Sequence, residues 1–210
     1  MSRPVLRRST LVALAIALPT AALALAPRVA EPSPSPIPEK AAGTYKVDRV
    51  HSSCQFRVNH LAASMFWGRF DDVAGSITYT PGTPGSLEFD IRIPTASVHS
   101  GDSKLDNHLK GPDFFNIKEY PEMTFKSRKA TPAGGNMWKV EGDITLLGVT
   151  RPITAMVEWI GYSEPYGKRL IGFEASFTIV RSEFGMSYQV DEGGLGDDVE
   201  IVVGLEAVVD

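Results

Sequence analysis

The chain has 210 residues, with 21 basic and 25 acidic side chains and a net charge of −4. Three of the arginines lie in the first 26 residues, and without them 18 basic residues face 25 acidic ones, a net charge of −7. This balance argues against nucleic acid or an anionic membrane surface as a partner, because both require clustered positive charge. The single cysteine, Cys54, excludes an internal disulfide.

Residues 1–26 carry the three parts of a secretory signal peptide: a basic start, an apolar run at 11–18 and small residues at 22–26. Cleavage after Ala24 is favoured, because cleavage after Ala26 would place a proline next to the bond. The alternative is an uncleaved membrane anchor, since the apolar stretch just reaches the length of a span. We therefore expect an exported protein.

Residues 27–42 predict a linker. Four prolines alternate with other residues between positions 32 and 38, and proline lacks the backbone donor that helices and central strands need. Such a segment is an extended, semi-rigid spacer. The remainder, residues 43–210, has the size of one ordinary domain.

Most of this domain alternates between apolar and polar residues with a period of two, which predicts β-strands. Turn sequences rich in glycine and proline separate the strands, so consecutive strands are expected to pair as antiparallel hairpins. The predicted strands are residues 53–58, 75–80, 86–93, 123–128, 138–146, 153–161, 170–180 and 199–208. In the first of these, Cys54 shares a face with Phe56 and Val58 and is expected to be buried.

Two stretches lack the alternation. Residues 60–67 are interpreted as one or two helical turns, and residues 103–115 as a short helix capped by Asp102 or Ser103. About eight strands with one apolar face favour a closed antiparallel barrel, because closure removes exposed sheet edges. A β-sandwich is the structural rival, and periodicity does not separate the two.

The order of motifs resembles the YceI-like family of polyisoprenoid-binding proteins from Tyr45 to Glu206. The motifs are YKVDRVHS at 45–52, FRVNHL at 56–61, GRF at 68–70, ASV at 96–98, NHLKGPDFFN at 107–116, YPEMTF at 120–125, ITLLGVTRP at 144–152, RSEFGM at 181–186 and VEI at 199–201. Two positions depart from the family's usual pattern: Leu105 stands where arginine is common, and Leu147 where histidine is common. Both exchanges remove a polar group, which puts headgroup contacts at those positions in doubt.

The resemblance implies an all-β protein, an eight-stranded antiparallel lipocalin-like barrel with one or two short helices, exported to the periplasm and often dimeric. It also implies that an isoprenoid-type lipid, polyprenyl or quinone-like, lies in the barrel as a ligand, with no other cofactor. Apolar alternation alone fits plain core and ligand lining equally; the resemblance favours lining. The candidate ligand-binding residues are Phe56, Val58, Phe70, Phe89, Ile91, Phe114, Phe125, Trp138, Trp159, Phe177 and Arg181. Arg181 either has a structural role, in which it satisfies buried carbonyls or pairs with an acidic loop residue, or contacts a lipid headgroup at the rim.

Neither an enzyme nor a metal protein is predicted. The chain has no G-x-S-x-G or strand-linked G-x-G-x-x-G motif. The four histidines lack the close spacing of a compact metal site, and His51 and His108 are expected to hold turns by hydrogen bonding. The alternative functions are a structural or stress-related interaction module with a side-chain-filled barrel, and a small metal or redox protein using the histidines and Cys54.

Overall fold

A computed structural model describes residues 37–82 and 86–209. The predicted signal peptide, and the predicted linker up to residue 36, lie outside these residues and stay predictions. The described parts contain eleven strands, and several of them, such as residues 87–93, alternate in burial as the sequence pattern predicts. They are β1 Gly43–Val47, β2 Ser53–His60, β3 Ser64–Phe70, β4 Ala74–Tyr79, β5 Leu87–Pro94, β6 Val98–His99, β7 Glu122–Gly134, β8 Met137–Leu146, β9 Val149–Ser163, β10 Leu170–Val180 and β11 Leu195–Val208.

Eight of these strands close into an antiparallel barrel. Their order is β1-β4-β5-β7-β8-β9-β10-β11, and β1 closes the ring by pairing Lys46 with Val208 and Val47 with Ala207 of β11. Residues 195–204 of β11 pair with β2 instead of β1. Strand β3 then pairs with β2, and β6 pairs with β3. Three positions in the wall are therefore occupied by two consecutive segments each: β1 with β2, β3 with β4, and β5 with β6. The predicted eight-stranded barrel is confirmed.

All eight predicted strands are present, but the helical interpretation of residues 60–67 is wrong. This stretch forms the turn of a β2–β3 hairpin and the start of β3. Leu61 and Ala62 adopt φ angles of 53° and 52° in the turn. Glycine, asparagine or aspartate usually signals this left-handed conformation, and none stands at either position. Exposed apolar residues in β3 further obscured the alternation.

The short helix is confirmed as α1, Ser103–Leu109, and Asp102 caps it by accepting a hydrogen bond from the Leu105 backbone N–H at 2.9 Å. It is shorter than the predicted stretch of 103–115. The other helical elements are 3-10 turns at Glu39–Ala41, Thr95–Ser97, Pro165–Gly167 and Arg181–Phe184. None of the helices in the described ranges is long and apolar enough to cross a membrane.

Residues 37–42, assigned above to the linker, lie against the barrel. Ile37 and Ala41 are buried, and their carbonyls accept hydrogen bonds from the Tyr79 and Tyr45 hydroxyls, both at 3.0 Å. Arg169 donates to the Ala42 carbonyl at 2.9 Å. The spacer prediction therefore does not extend to these six residues, because two tyrosines at the barrel end bind their backbone.

Candidate functional site

The barrel encloses an apolar cavity of about 620 Å³. Its walls are formed by β2, β3, β5, β7, β8, β9, β10 and β11, and α1 contributes Leu105 and Leu109. The volume lies within the usual range of about 300–1,000 Å³ for ligand pockets. The lining is predominantly apolar, and its few polar side chains include His60, His108 and Gln189. Such a space suits hydrocarbon rather than a polar metabolite.

The opposite end of the barrel is filled by its own side chains. Tyr45, Trp138 and Phe173 are almost fully buried there and do not line the cavity. Phe173 packs edge-on against Trp159 at 5.1 Å and against Phe89 at 5.3 Å between ring centroids. Phe89 therefore forms the boundary between the filled half and the hollow half.

Small inward residues contribute to the free space in the hollow half, although aromatic rings lie in both halves. Ala155, Ala175 and Val157 stand at inward positions of the cavity wall. Barrels of eight strands are just wide enough to be filled by their side chains or to hold one ligand, so small residues at one end leave room. The alternation of apolar and polar residues is the same in both halves.

Two glycines keep aromatic rings against the cavity wall. A Cβ atom at Gly68 would lie 2.3 Å from Cζ of Phe56, and one at Gly142 would lie 2.6 Å from Cζ of Phe125. The rings thus occupy the space that a neighbouring side chain would take. Because they lie flat across the sheet, Phe56 and Phe125 line the cavity without filling it.

Arg181 fastens the loop that forms one wall of the open end. Its guanidinium donates to the carbonyls of Gly196, Met186, Tyr188 and Leu195 at 2.8–3.2 Å, and the residue is only 3% exposed. Burial lowers the pKa of Arg181, and the nearby carboxylate of Asp197 opposes this. Arg181 therefore has the structural role that the sequence allowed, in which its guanidinium donates hydrogen bonds to buried carbonyls.

Alpha helix α1 is held over the open end by a second polar cluster. The Asp106 carboxylate accepts hydrogen bonds from the Ser100 backbone N–H and hydroxyl, both at 2.6 Å, and these bonds lower the pKa of Asp106. His108 Nε2 lies 3.0 Å from an Asp113 carboxylate oxygen, and its ring packs edge-on against Tyr188 at 5.2 Å. His108 therefore holds a turn, as predicted.

The structure brings nine of the eleven predicted site residues together around the cavity and places two elsewhere. Trp138 and Trp159 belong to the filled half, because each stands near the end of its strand that lies away from the cavity, whereas other residues of β8 and β9 line it. The Trp138 indole N–H is buried without a hydrogen-bond partner among the described residues. The nine that line the cavity are Phe56, Val58, Phe70, Phe89, Ile91, Phe114, Phe125, Phe177 and Arg181.

A model of the YceI-like domain matches residues 45–207, which is most of the chain. The chain belongs to the YceI-like domain family. A UPF0312 protein of Pseudomonas aeruginosa is 34% identical over 170 residues, covering 80% of this chain and 87% of that protein.

Solved structures agree with this YceI-like fold. Burkholderia cenocepacia BcnA matches with a TM-score of 0.69 and 26% identity, over 77% of this chain and 99% of that chain. A polyisoprenoid binding domain from Saccharophagus degradans, implicated in plant cell wall breakdown, matches with a TM-score of 0.61 over 79% of this chain and 98% of that chain. At 15% identity, this second match shows the fold alone.

Sequence reasoning missed several lining residues of this YceI-like barrel. Met186, Tyr188 and Gln189 line the cavity from the loop before β11, which carries no periodic pattern, and Leu195 lines it from the start of β11. Leu105, one of the two departures from the family pattern, also lines it, so an apolar side chain stands there at the open end. Leu147 lies instead in the β8–β9 turn, with a φ angle of 50°.

Cys54 is buried in β2 and lines the cavity, as the strand pattern predicts. Burial raises the pKa of its thiol to about 12, so the thiol stays protonated at neutral pH. A protonated thiol is a poor nucleophile and a poor metal ligand.

One cluster of possible metal ligands lies outside the cavity. Ligand atoms of Asp48, His51 and Glu206 all lie within 4.8 Å of one another. His51 Nδ1 is 3.0 Å from an Asp48 carboxylate oxygen, which lowers the pKa of Asp48 and raises the pKa of His51. Asp48 also accepts from the Val50 backbone N–H at 2.8 Å, so the cluster holds the loop between β1 and β2 as predicted for His51.

Proposed function

We propose that this protein is an exported carrier or binding protein that holds a long apolar isoprenoid-type lipid, polyprenyl or quinone-like, with its chain in the hollow half of the barrel. The observation that carries the proposal is the apolar cavity of about 620 Å³ in the interior of the barrel. An unfilled apolar space in a close-packed interior costs stability, which a bound hydrocarbon chain would restore. The polyisoprenoid binding domain of Saccharophagus degradans, which has the same fold, supports the choice of lipid.

Hydrocarbon burial supplies the binding energy in this proposal. Each CH₂ group removed from water contributes about 0.8 kcal/mol. A chain that buries about ten such groups gains roughly 8 kcal/mol before the entropy of ordering the chain is subtracted. Recognition then depends on the length and width of the cavity, because a hydrocarbon chain offers no group for hydrogen bonding.

The headgroup of the lipid is expected to lie at the open end, beside His60, Tyr188 and Gln189. Arg181 does not contact it in this proposal, since its guanidinium already donates four hydrogen bonds to backbone carbonyls. Recognition of the head therefore uses polar groups other than Arg181.

We propose binding without catalysis. Burial keeps the Cys54 thiol protonated, so it is not an activated nucleophile. The His108 ring interacts with the Asp113 carboxylate through Nε2, so it is not placed to act as a base for Cys54. Export is proposed from the signal-like residues 1–26, and it predicts that mature protein begins between residues 25 and 31. The net charge of −7 supports a partner other than nucleic acid.

Organic-solvent extraction of protein purified without detergent, followed by mass spectrometry, tests the proposed ligand. We expect a lipid with a long apolar chain in near-stoichiometric amount. A preparation without lipid, combined with failure of added isoprenoids to bind, would instead support the interaction module with an unliganded barrel. Metal analysis of the same sample tests the Asp48–His51–Glu206 cluster separately.

A further inference from the structure

Large apolar side chains are exposed at the tip of the β2–β3 hairpin, beside the open end of the cavity. Leu61 is 61% exposed, Trp67 is 51% exposed, and Met65 lies between them in sequence. Met65 and Trp67 also line the cavity. The exposed patch is therefore continuous with the site proposed to take lipid.

The tip is held in place by hydrogen bonds and is not a loose loop end. The Leu61 N–H donates to the Gly194 carbonyl at 2.9 Å, and the Ala62 N–H donates to the Asn59 side-chain oxygen at 3.0 Å. Leu61 and Ala62 have φ angles of 53° and 52°, a left-handed conformation that is unfavourable for a bulky side chain. The fold thus presents a leucine to the outside at a cost in backbone strain, which calls for a functional reason.

The cavity opens laterally at the edge of β3. Pairing between β3 and β6 involves only Arg69 and Phe70 among the described residues, so the rest of that edge has no strand beside it there. The four consecutive residues 64–67 all line the cavity. Successive side chains in a strand point to opposite faces of the sheet. Residues from both faces of β3 can therefore line the same cavity only if the cavity opens to the outside at the edge of this strand.

The two arginines of the hairpin each pair with a carboxylate. Arg57, whose guanidinium lies 5.4 Å above the centre of the Trp67 ring, forms an ion pair with Glu200. Arg69 forms another with Asp71 at 2.6 Å. Without residues 1–26 the chain carries a net charge of −7, so apolar contact, rather than attraction to anions, is the force available to the patch.

We propose that the β2–β3 hairpin docks on a phospholipid bilayer, and that lipid chains pass between bilayer and cavity at the edge of β3. Trp67 lies near the aliphatic side chains of Leu61 and Met65, and ion-paired arginines lie next to them in the hairpin. This combination of aromatic, aliphatic and charged groups suits the interface between water and the apolar interior of a bilayer. The passage of lipid rests on the proposed function, whereas the docking does not.

Flotation with phosphatidylcholine vesicles, with and without phosphatidylglycerol, tests the docking. The test variant is Leu61→Asn, because asparagine tolerates the left-handed backbone and Leu61 does not line the cavity. The matched control is Ile160→Thr, which removes an equally exposed side chain (61%) on the outside of β9. We expect wild type and Ile160→Thr to float with both vesicle types at low and high salt. Leu61→Asn should partition about tenfold less, the loss expected for one leucine that no longer leaves water.

The amount of extracted lipid separates this inference from the proposed function. Protein that carries lipid but does not float would overturn the docking alone, whereas protein that floats but carries no lipid would overturn the proposed ligand alone. Flotation of Leu61→Asn at the wild-type level would also overturn the docking. If Leu61→Asn converts a dimer to a monomer in sedimentation without changing flotation, the patch contacts a second copy of the chain and the proposal is wrong.

Trp67 provides a second, independent measurement. Trp138 and Trp159 are buried away from the cavity, so a change in tryptophan emission on adding vesicles reports on Trp67. We expect a blue shift and quenching by brominated phospholipid, both absent in Trp67→Phe. An emission spectrum unchanged by vesicles in the wild type would contradict the docking.

Discussion

Replacing Gly68 by alanine tests how the barrel keeps its cavity open. The new methyl group would lie 2.3 Å from Cζ of Phe56, so the ring must leave the wall. The nearest free volume is the cavity, which Phe56 already borders. The variant is therefore expected to fold, with the Phe56 ring moved into the space proposed for the lipid chain.

The effect on binding follows from the volume that the ring takes. A phenyl ring in the cavity displaces about three or four CH₂ groups of a ligand, and each contributes about 0.8 kcal/mol. The loss of about 3 kcal/mol corresponds to more than a hundredfold weaker lipid binding. The free energy of unfolding should change by only about 1 kcal/mol. Alanine lowers the conformational entropy of the unfolded chain relative to glycine, and this stabilising effect offsets part of the strain in the folded state.

Lipid titration and thermal unfolding of Gly68→Ala and Gly204→Ala measure both effects. Gly204 is the matched control because a Cβ there meets no atom within 4 Å and its strand also lines the cavity. We expect only Gly68→Ala to lose lipid binding. Equal lipid affinity in the two variants would refute the idea that a ring held flat by glycine keeps the cavity open.

Three further predictions concern separate parts of the barrel. Cys54 should react slowly with a thiol reagent at pH 8 and rapidly in denaturant, because burial raises its pKa to about 12; fast native labelling would contradict the burial. Arg181→Met should lower the free energy of unfolding by about 3 kcal/mol in denaturant titration, because it leaves buried carbonyls without donors; an unchanged midpoint would refute this. Ala175→Phe should weaken lipid binding while Ser176→Phe, on the outer face, should not; equal affinities would place Ala175 outside the site.

The strands were predictable from the sequence because periodicity and turn residues are local signals, whereas the choice of a barrel over a β-sandwich depended on the resemblance to the YceI-like family. Leu87 and Phe89, for example, alternate with charged residues and lie inside as expected. The β2–β3 turn was not predictable, because Leu61 and Ala62 take a conformation usually signalled by glycine. Their strain is held by contacts from Asn59 and Gly194, one of them 133 residues away in the chain.

The division of the interior into filled and hollow halves was also beyond the sequence pattern. Trp138 and Phe125 occupy equivalent inward positions by alternation, yet one packs in the core and the other lines the cavity. Gly142 lies beside Phe125 across the sheet and leaves space for that ring against the wall. Cross-strand neighbours are set by register, and register is not visible in one strand alone.

Crosslinking with an isoprenoid lipid that carries a photoreactive group near the end of its chain tests the central claim most directly. The account predicts that the crosslinked peptides contain inward residues of the hollow half, such as Phe89 and Phe125, and that excess unlabelled lipid prevents the reaction. Crosslinks confined to outward residues, or to the surroundings of Trp138 in the filled half, would contradict it.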